Sequence, residues 1–134
     1  MNYIDLGLPS GTLWADTNEE GYFTFDEAKE QFGDALPTIE QWQELINECE
    51  WLWSVKRMGM EVGGKNGNSI FLPATGYRAG SRLYNAGSGG YCWSSALSTG
   101  RPDDAYSVYF FSDDVFLSNY CRYNGRPVRL IKNK

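Results

Sequence analysis

Tyrosine, arginine, asparagine and aspartate crowd the stretch from Gly89 to Ile131, which reads GGYCWSSALSTGRPDDAYSVYFFSDDVFLSNYCRYNGRPVRLI. Within it the apolar residues recur at every second position, at Val108 and Phe110, at Val115 and Leu117, and at Val128 and Leu130. That is the period of a sheet buried on one face, so the stretch is expected to form three extended runs. The opposite face and the loops carry Tyr109, Phe111, Phe116, Asn119, Tyr120, Arg122, Tyr123 and Asn124. Tyrosine offers rigid contact area with one polar tip, arginine a planar fork of donors, and the small polar residues adaptable hydrogen bonds. Such a surface suits binding better than bond-making.

The residue types that catalysis favours are sparse. The chain has no histidine, which removes the usual general base and every Cys-His or Ser-His pairing. Its three cysteines, Cys49, Cys92 and Cys121, show no CxxC spacing, so a Cys/His zinc site is not expected. Cys49 lies on the apolar stripe of an expected helix, where it serves as a small hydrophobe. Cys92 and Cys121 could pair in an oxidising compartment, although an odd cysteine count speaks against a disulfide framework. Glu40, Glu44 and Glu48 share one helical face and read as its solvated side, with nothing nearby to raise a carboxylate pKa. No cofactor or metal is expected.

A chain of 134 residues is one domain, 1–134, long enough for a real core, and its 42% hydrophobic content puts it among folded chains. No apolar run approaches the length that spans a bilayer, and the first twenty residues lack the pattern of a signal peptide. The expectation is a soluble domain without a transmembrane segment. Charge is divided unevenly: residues 1–50 hold twelve carboxylates against Lys29, and residues 51–134 hold eleven cations against five carboxylates, about −11 and +6. Internal pairing accounts for part of that asymmetry; the rest suggests an anionic or polyhydroxyl partner for the C-terminal half.

The positioning elements follow in order. Ile4 and Leu6 alternate as in a strand, LPSG is a turn, and Thr12 to Ala15 form a second short strand around Trp14. Thr24 with Glu27 forms a capping box for a helix over Phe25 to Phe32, which Gly33 stops. Thr38 with Gln41 starts a longer helix that buries Ile39, Trp42, Leu45, Ile46 and Cys49. Then the period changes to two. Trp51, Trp53 and Val55 alternate, as do Met58, Met60 and Val62, with the methionines as core filler. Asn66-Gly67 turns a hairpin that pairs Met58 to Val62 with Ser69 to Leu72. The glycine-rich segment from Pro73 to Gly90 is expected to be a long loop packed back on the fold.

Taken together, DLGLPSGTLWA, LPTIEQWQELI, NGNSIFLPATGYR, LYNAGSGGYCWSS and NGRPVRLI resemble the repeated surface-protein domains of gut and rumen bacteria known as the Fibrobacter succinogenes major paralogous domain. The resemblance covers nearly the whole chain. It implies an α+β, C-type lectin-like fold, in the branch shared with formylglycine-generating enzymes and retroelement-diversified variable proteins, with two helices flanking antiparallel sheets and the terminal strands paired. It implies a bacterial cell-surface or secreted location. It also implies that Trp93, Ser94, Ser95 and Gly125 to Arg129 are framework, with Trp93 and Val128 in the core and Arg126 and Arg129 tying strands or loops together. Tyr91, Ser98, Arg101, Asp103, Asp104, Phe111, Asp113, Phe116, Asn119, Tyr120, Arg122, Tyr123 and Asn124 then match the exposed display surface.

Departures from the family's relatives narrow the function. The EPN, QPD and WND strings of calcium-dependent sugar binders are missing, and Asp103-Asp104 and Asp113-Asp114 are adjacent pairs whose members point apart in a strand. No second cysteine stands near Cys121, so the copper-binding cysteine pair of the formylglycine-generating enzymes is missing too. The leading expectation is a non-catalytic module that binds a protein or a glycan. Its alternatives are a structural repeat module without a ligand of its own, and an enzyme relative of the formylglycine-generating type. A nucleic-acid or polyanion binder is disfavoured by the acidity of the whole chain and by the framework-like setting of two of its arginines.

Overall fold

Two capping boxes start the two helices at the expected residues. Thr24 Oγ1 accepts from the Glu27 amide at 3.2 Å while Glu27 Oε1 accepts from the Thr24 amide at 2.8 Å, opening helix α1, Phe25–Phe32. Thr38 and Gln41 repeat the arrangement at 3.1 and 2.9 Å for helix α2, Ile39–Glu48. Each box satisfies two amides that would otherwise lack a partner. The computed structural model describes residues 2–133, and the fold is α+β, with four small antiparallel sheets beside the two helices. Among the described residues no helix is long and apolar enough to cross a membrane.

Strands β1, Tyr3–Asp5, and β2, Leu13–Ala15, form a hairpin, and the last strand of the chain, Ile131–Lys132, joins it. The terminal strands therefore share a sheet but do not pair directly. The turn after Leu8 folds β1 onto one edge of β2, and the last strand takes the other edge, with Ile131 opposite Trp14. The central position puts Trp14 fully into the core against Trp42, ring centroids 4.7 Å apart.

β3, Glu50–Ser54, β4, Gly59–Gly63, and β5, Ser69–Pro73, form a meander in which Met60 opposes Leu72 and Val62 opposes Ile70, so the expected hairpin is present. Two alternations stop short of their expected length. Val55 is 83% exposed and Met58 is 54% exposed with φ at 53°, because both lie in the turn between β3 and β4 and not in a strand; Met60 alone of these two methionines fills the core. The segment after Pro73 contains an ordered ribbon, β6, Tyr77–Ala79, against β7, Arg82–Tyr84, where a loop without regular structure is expected. Gly80, at φ 62°, allows its tight turn.

The largest sheet holds β8, Gly90–Leu97, β9, Asp104–Phe111, and β10, Asp114–Cys121, in the order β10-β9-β8. Its third strand is β8 and not the run around Val128 and Leu130. Those two residues are buried, but their backbone leads into β11, Ile131–Lys132, in the other sheet.

Register shows what covers each face. Cys92, Val108 and Leu117 lie in one row and Phe110 and Val115 in the next, all in the main core beneath α2 with Trp42 and Leu45. On the opposite face, Trp93 and Ala105 enter a second core with Phe25 and Ala28 of α1, Leu36, Val128 and Leu130. That second core covers only part of its face. The rest carries the tyrosines.

Candidate functional site

The uncovered part of the face is built from one row of the register, Tyr91 opposite Tyr109 opposite Phe116, with Phe111 and Tyr120 of the same parity beyond it. Tyr91 and Tyr109 stack at 4.8 Å with an interplanar angle of 10°, Phe116 stands edge-on to Tyr109 at 5.2 Å, and Phe111 lies 5.4 Å from Tyr109. Tyr120 meets Tyr91 edge-on at 6.3 Å. The β6–β7 ribbon adds Tyr77, 4.9 Å from Tyr91, and Tyr84, stacked on Tyr77 at 5.3 Å. Seven rings thus form one connected platform. Tyr84 and Phe116 are each 38% exposed, beside Leu83 at 44%. Offset and edge-on ring pairs of this kind contribute about 0.5–1.5 kcal/mol each beyond their burial, so the platform is held together by its own packing.

Below the rings lies Arg126. Two short antiparallel bridges hold its backbone, Arg126 with Phe23 and Gly125 with Arg78. A Cβ at Gly125 would approach that of Tyr22 to 3.1 Å, which suits glycine to this close crossing. The side chain is 2% exposed, and its guanidinium carbon lies 4.3 Å from the ring centre of Tyr120, 4.6 Å from Tyr91, 4.8 Å from Tyr77 and 5.3 Å from Trp93. Its Nε and Nη1 are shut from solvent without a hydrogen-bond partner. Burial pulls the Arg126 pKa down to about 10, which still leaves it charged at neutral pH. Ring faces attract a cation but do not neutralise it.

Arg129, equally buried, is its opposite. Nε donates to Asn18 Oδ1 at 2.7 Å, Nη1 to the Ala15 carbonyl at 3.0 Å and Nη2 to the Phe71 carbonyl at 2.6 Å. Arg129 ties three segments, as the resemblance implies. The Arg126 side chain makes no such tie among the described residues, so its expected role is corrected: its backbone joins segments while its head group sits inside aromatic rings.

The thirteen expected display residues fall in four places. Tyr91, Phe111, Phe116 and Tyr120 belong to the platform, but Tyr91 is its floor and not an exposed position, at 4% exposure, with its hydroxyl accepting from Asn85 at 2.9 Å. Burial pushes the Tyr91 phenol up to about 12 and raises that of Tyr120 as well. Ser98, Arg101, Asp103, Asp104, Arg122, Tyr123 and Asn124 gather at one end of the sheet. There the Ser98 amide donates to the Asp104 carbonyl at 3.0 Å, the Asp104 amide to Arg101 at 2.9 Å, the Arg122 amide to Asp103 at 2.9 Å, and the Asn124 amide to Cys121 at 3.3 Å.

Two members of that end group are structural ties. Arg122 donates to Asp26 Oδ1 at 2.5 Å and to the Pro102 carbonyl at 3.1 Å, clamping the start of α1 to the sheet, and the hydrogen bond to Asp26 raises its pKa. Tyr123, 60% exposed, donates to Asp103 Oδ1 at 3.1 Å, and that bond raises its phenol pKa. Asp113 stands at the far turn of the β9–β10 hairpin, where its carboxylate accepts from Ser112. The two aspartate pairs therefore sit at opposite ends. Asn119 shares the parity of Val115 and Leu117 and lies on the core-ward face, its Oδ1 buried without a partner; it is not a display residue of this platform.

Tyr77, Tyr84 and the ring-caged Arg126 are the members that sequence reasoning missed. A signal for the first two was present, since Gly80-Ser81 between two short runs is a two-residue hairpin turn.

The three thiols are free. Cys92 and Cys121 sit two strands apart, at the register levels of Val108 and Asp104, so pairing would require the sheet to break. Complete burial pushes the Cys92 thiol up to about 12, whereas Cys121 is exposed. Iodoacetamide under native conditions should therefore modify Cys121 readily and Cys92 only after unfolding. Mass spectrometry showing early modification of Cys92, or a Cys92–Cys121 bridge, would refute this placement.

Comparison with family models, with curated proteins and with solved structures finds no match for this chain.

Proposed function

We propose that this chain is a non-catalytic recognition module with a C-type lectin-like fold, carried on a bacterial surface or secreted protein, and that it binds a protein or glycan through the ring platform of β8, β9 and β10. One observation carries the reading: seven packed aromatic rings, five on a sheet face that the second core leaves partly uncovered and two from the β6–β7 ribbon, form one connected platform. Aromatic area left at the surface on a preformed scaffold is the composition of binding hot spots. The display surface is accordingly centred on Phe111, Phe116 and Tyr120 with Tyr84, Tyr77 and Tyr109, and the end group around Asp103 and Tyr123 forms its polar margin.

Arrays of glycans and of bacterial surface proteins, probed with and without a chelator, test the reading. The expected result is a chelator-resistant hit that falls by a factor of ~100 in a Tyr84→Ala/Phe116→Ala double variant, as two hot-spot rings predict. Thermal unfolding of that variant should remain a cooperative transition with a lowered midpoint, since both rings are partly exposed but give up the pairs Tyr77–Tyr84, Tyr109–Phe116 and Phe111–Phe116. Binding that survives the double substitution, or no hit on either array, would sink it.

A further inference from the structure

We infer that the partner of this face is a protein surface that delivers a carboxylate, from an Asp or Glu side chain, to the Arg126 guanidinium between Tyr77 and Tyr120. The inference rests on the preceding reading and names the chemistry of its partner. Arg126 is a buried cation for which the described residues supply no anion. No salt bridge or side-chain hydrogen bond reaches it among the described residues, and the titratable groups around it are the phenols of Tyr91, Tyr120 and Tyr77 and the thiol of Cys121, none of them a carboxylate. Arg129 shows that this fold can satisfy all three guanidinium nitrogens of a buried arginine when the role is structural.

Buried charges are normally paired, and this one, with two nitrogens that lack a partner, lies at the base of a face that the second core leaves partly uncovered. Tyr77 and Tyr120 are only partly buried, unlike Tyr91 and Trp93, so the approach lies on their side. A carboxylate suits the planar fork of an arginine and forms charge-assisted hydrogen bonds with it.

Two observations favour a protein over a saccharide. Surface concavities of about 520 and 450 Å³ lie away from the platform, one beside Tyr22, Phe23 and Glu27 and the other along α2 at Ile39 and Gln43. Small ligands prefer concave sites, whereas broad faces rich in Tyr and Arg are protein hot spots. Several groups suited to sugar hydroxyls are also turned away or engaged: Asn119 lies on the reverse face, Asp103 accepts from Tyr123, Asn85 donates to Tyr91, and Asp114, beside Phe111 at the hairpin turn, accepts from the Val115 amide.

The test uses an array of short peptides made in pairs, one member with Asp or Glu and the other with Asn or Gln at the same positions, beside an array of uronate and neutral oligosaccharides. Acidic members should bind the intact protein at least ~10-fold more tightly than their amide partners. The Nε–H resonance of Arg126 should shift when an acidic member is added and stay in place with its amide twin. Arg126→Gln, checked for folding by its thermal transition, should abolish the discrimination. Should that variant not fold, the resonance and the paired affinities of the parent decide the matter. Equal affinity within pairs, an unmoved Arg126 resonance, or binding confined to saccharides overturns the inference while leaving a recognition module in place. Binding to neither array overturns both.

Discussion

Arg129→Met should lower the stability of the fold by about 3–5 kcal/mol, the scale expected when several buried acceptors lose their donor at once. The loss comes from the acceptors left behind. The carbonyls of Ala15 and Phe71 and the Asn18 side chain each receive one guanidinium hydrogen bond, and an acceptor stranded away from water costs about 1–3 kcal/mol. Methionine fills much of the volume but donates nothing. Arg126→Met is the control: its head group satisfies no acceptor, and exchanging an unpaired buried charge for an apolar side chain is expected to be neutral or stabilising. Denaturant unfolding of both variants checks the pair. Equal losses would mean that Arg126 is structural after all, and would weaken the assignment of its charge to a partner.

Trp93→Ala is the second large effect, also about 3–5 kcal/mol, as for deletion of a large buried aromatic. Trp93 is fully buried, its indole N–H donates to the Phe23 carbonyl at 2.7 Å, and its ring meets Phe25 of α1 edge-on at 5.7 Å. Its own carbonyl accepts from the Trp42 indole at 3.3 Å. It thus joins β8 to both helices and lies beside the Arg126 guanidinium. The substitution should lower the unfolding midpoint sharply and disturb the platform from below. Trp93→Phe, which keeps a ring but loses the N–H donor, should retain more of the stability than Ala does. A Trp93→Ala variant with a parental unfolding transition would show that the second core does not depend on this residue.

The same strand serves both the core and the platform. Along β8 the side chains alternate between the two faces of the sheet, so Cys92 enters the main core while Tyr91 and Trp93 share the other face. Trp93 lies under α1 and helps hold the fold, whereas Tyr91, two positions away, is the floor of the platform. The second core and the aromatic platform therefore meet on one strand, and Arg126 sits at the boundary between them.

Much of this was legible in the chain alone. Both helices follow from local chemistry: Thr-x-x-Glu and Thr-x-x-Gln close their capping boxes within four residues, and no distant contact is needed to place them. The alternation in β9 and β10 follows from the strand period, and with it the aromatic parity of Tyr109, Phe111, Phe116 and Tyr120. The same rule applied to neighbours of known parity would have put Asn119 with Leu117 and Tyr91 with Trp93, so those two placements needed no structure. Neither did the β6–β7 turn at Gly80-Ser81.

What only the tertiary structure decided is how distant segments meet. The segment after Leu117 and Tyr120 does not reveal that Arg126 will lie among rings from residues 77, 91, 93 and 120, because their approach depends on the bridges at Phe23 and Arg78. The local string GRPVR likewise does not separate a satisfied arginine from an unsatisfied one, since the acceptors for Arg129 come from residues 15, 18 and 71. Periodicity determines which face a side chain takes; whether that face is covered, and whether a buried charge finds its partner, is set by packing between segments far apart in the chain.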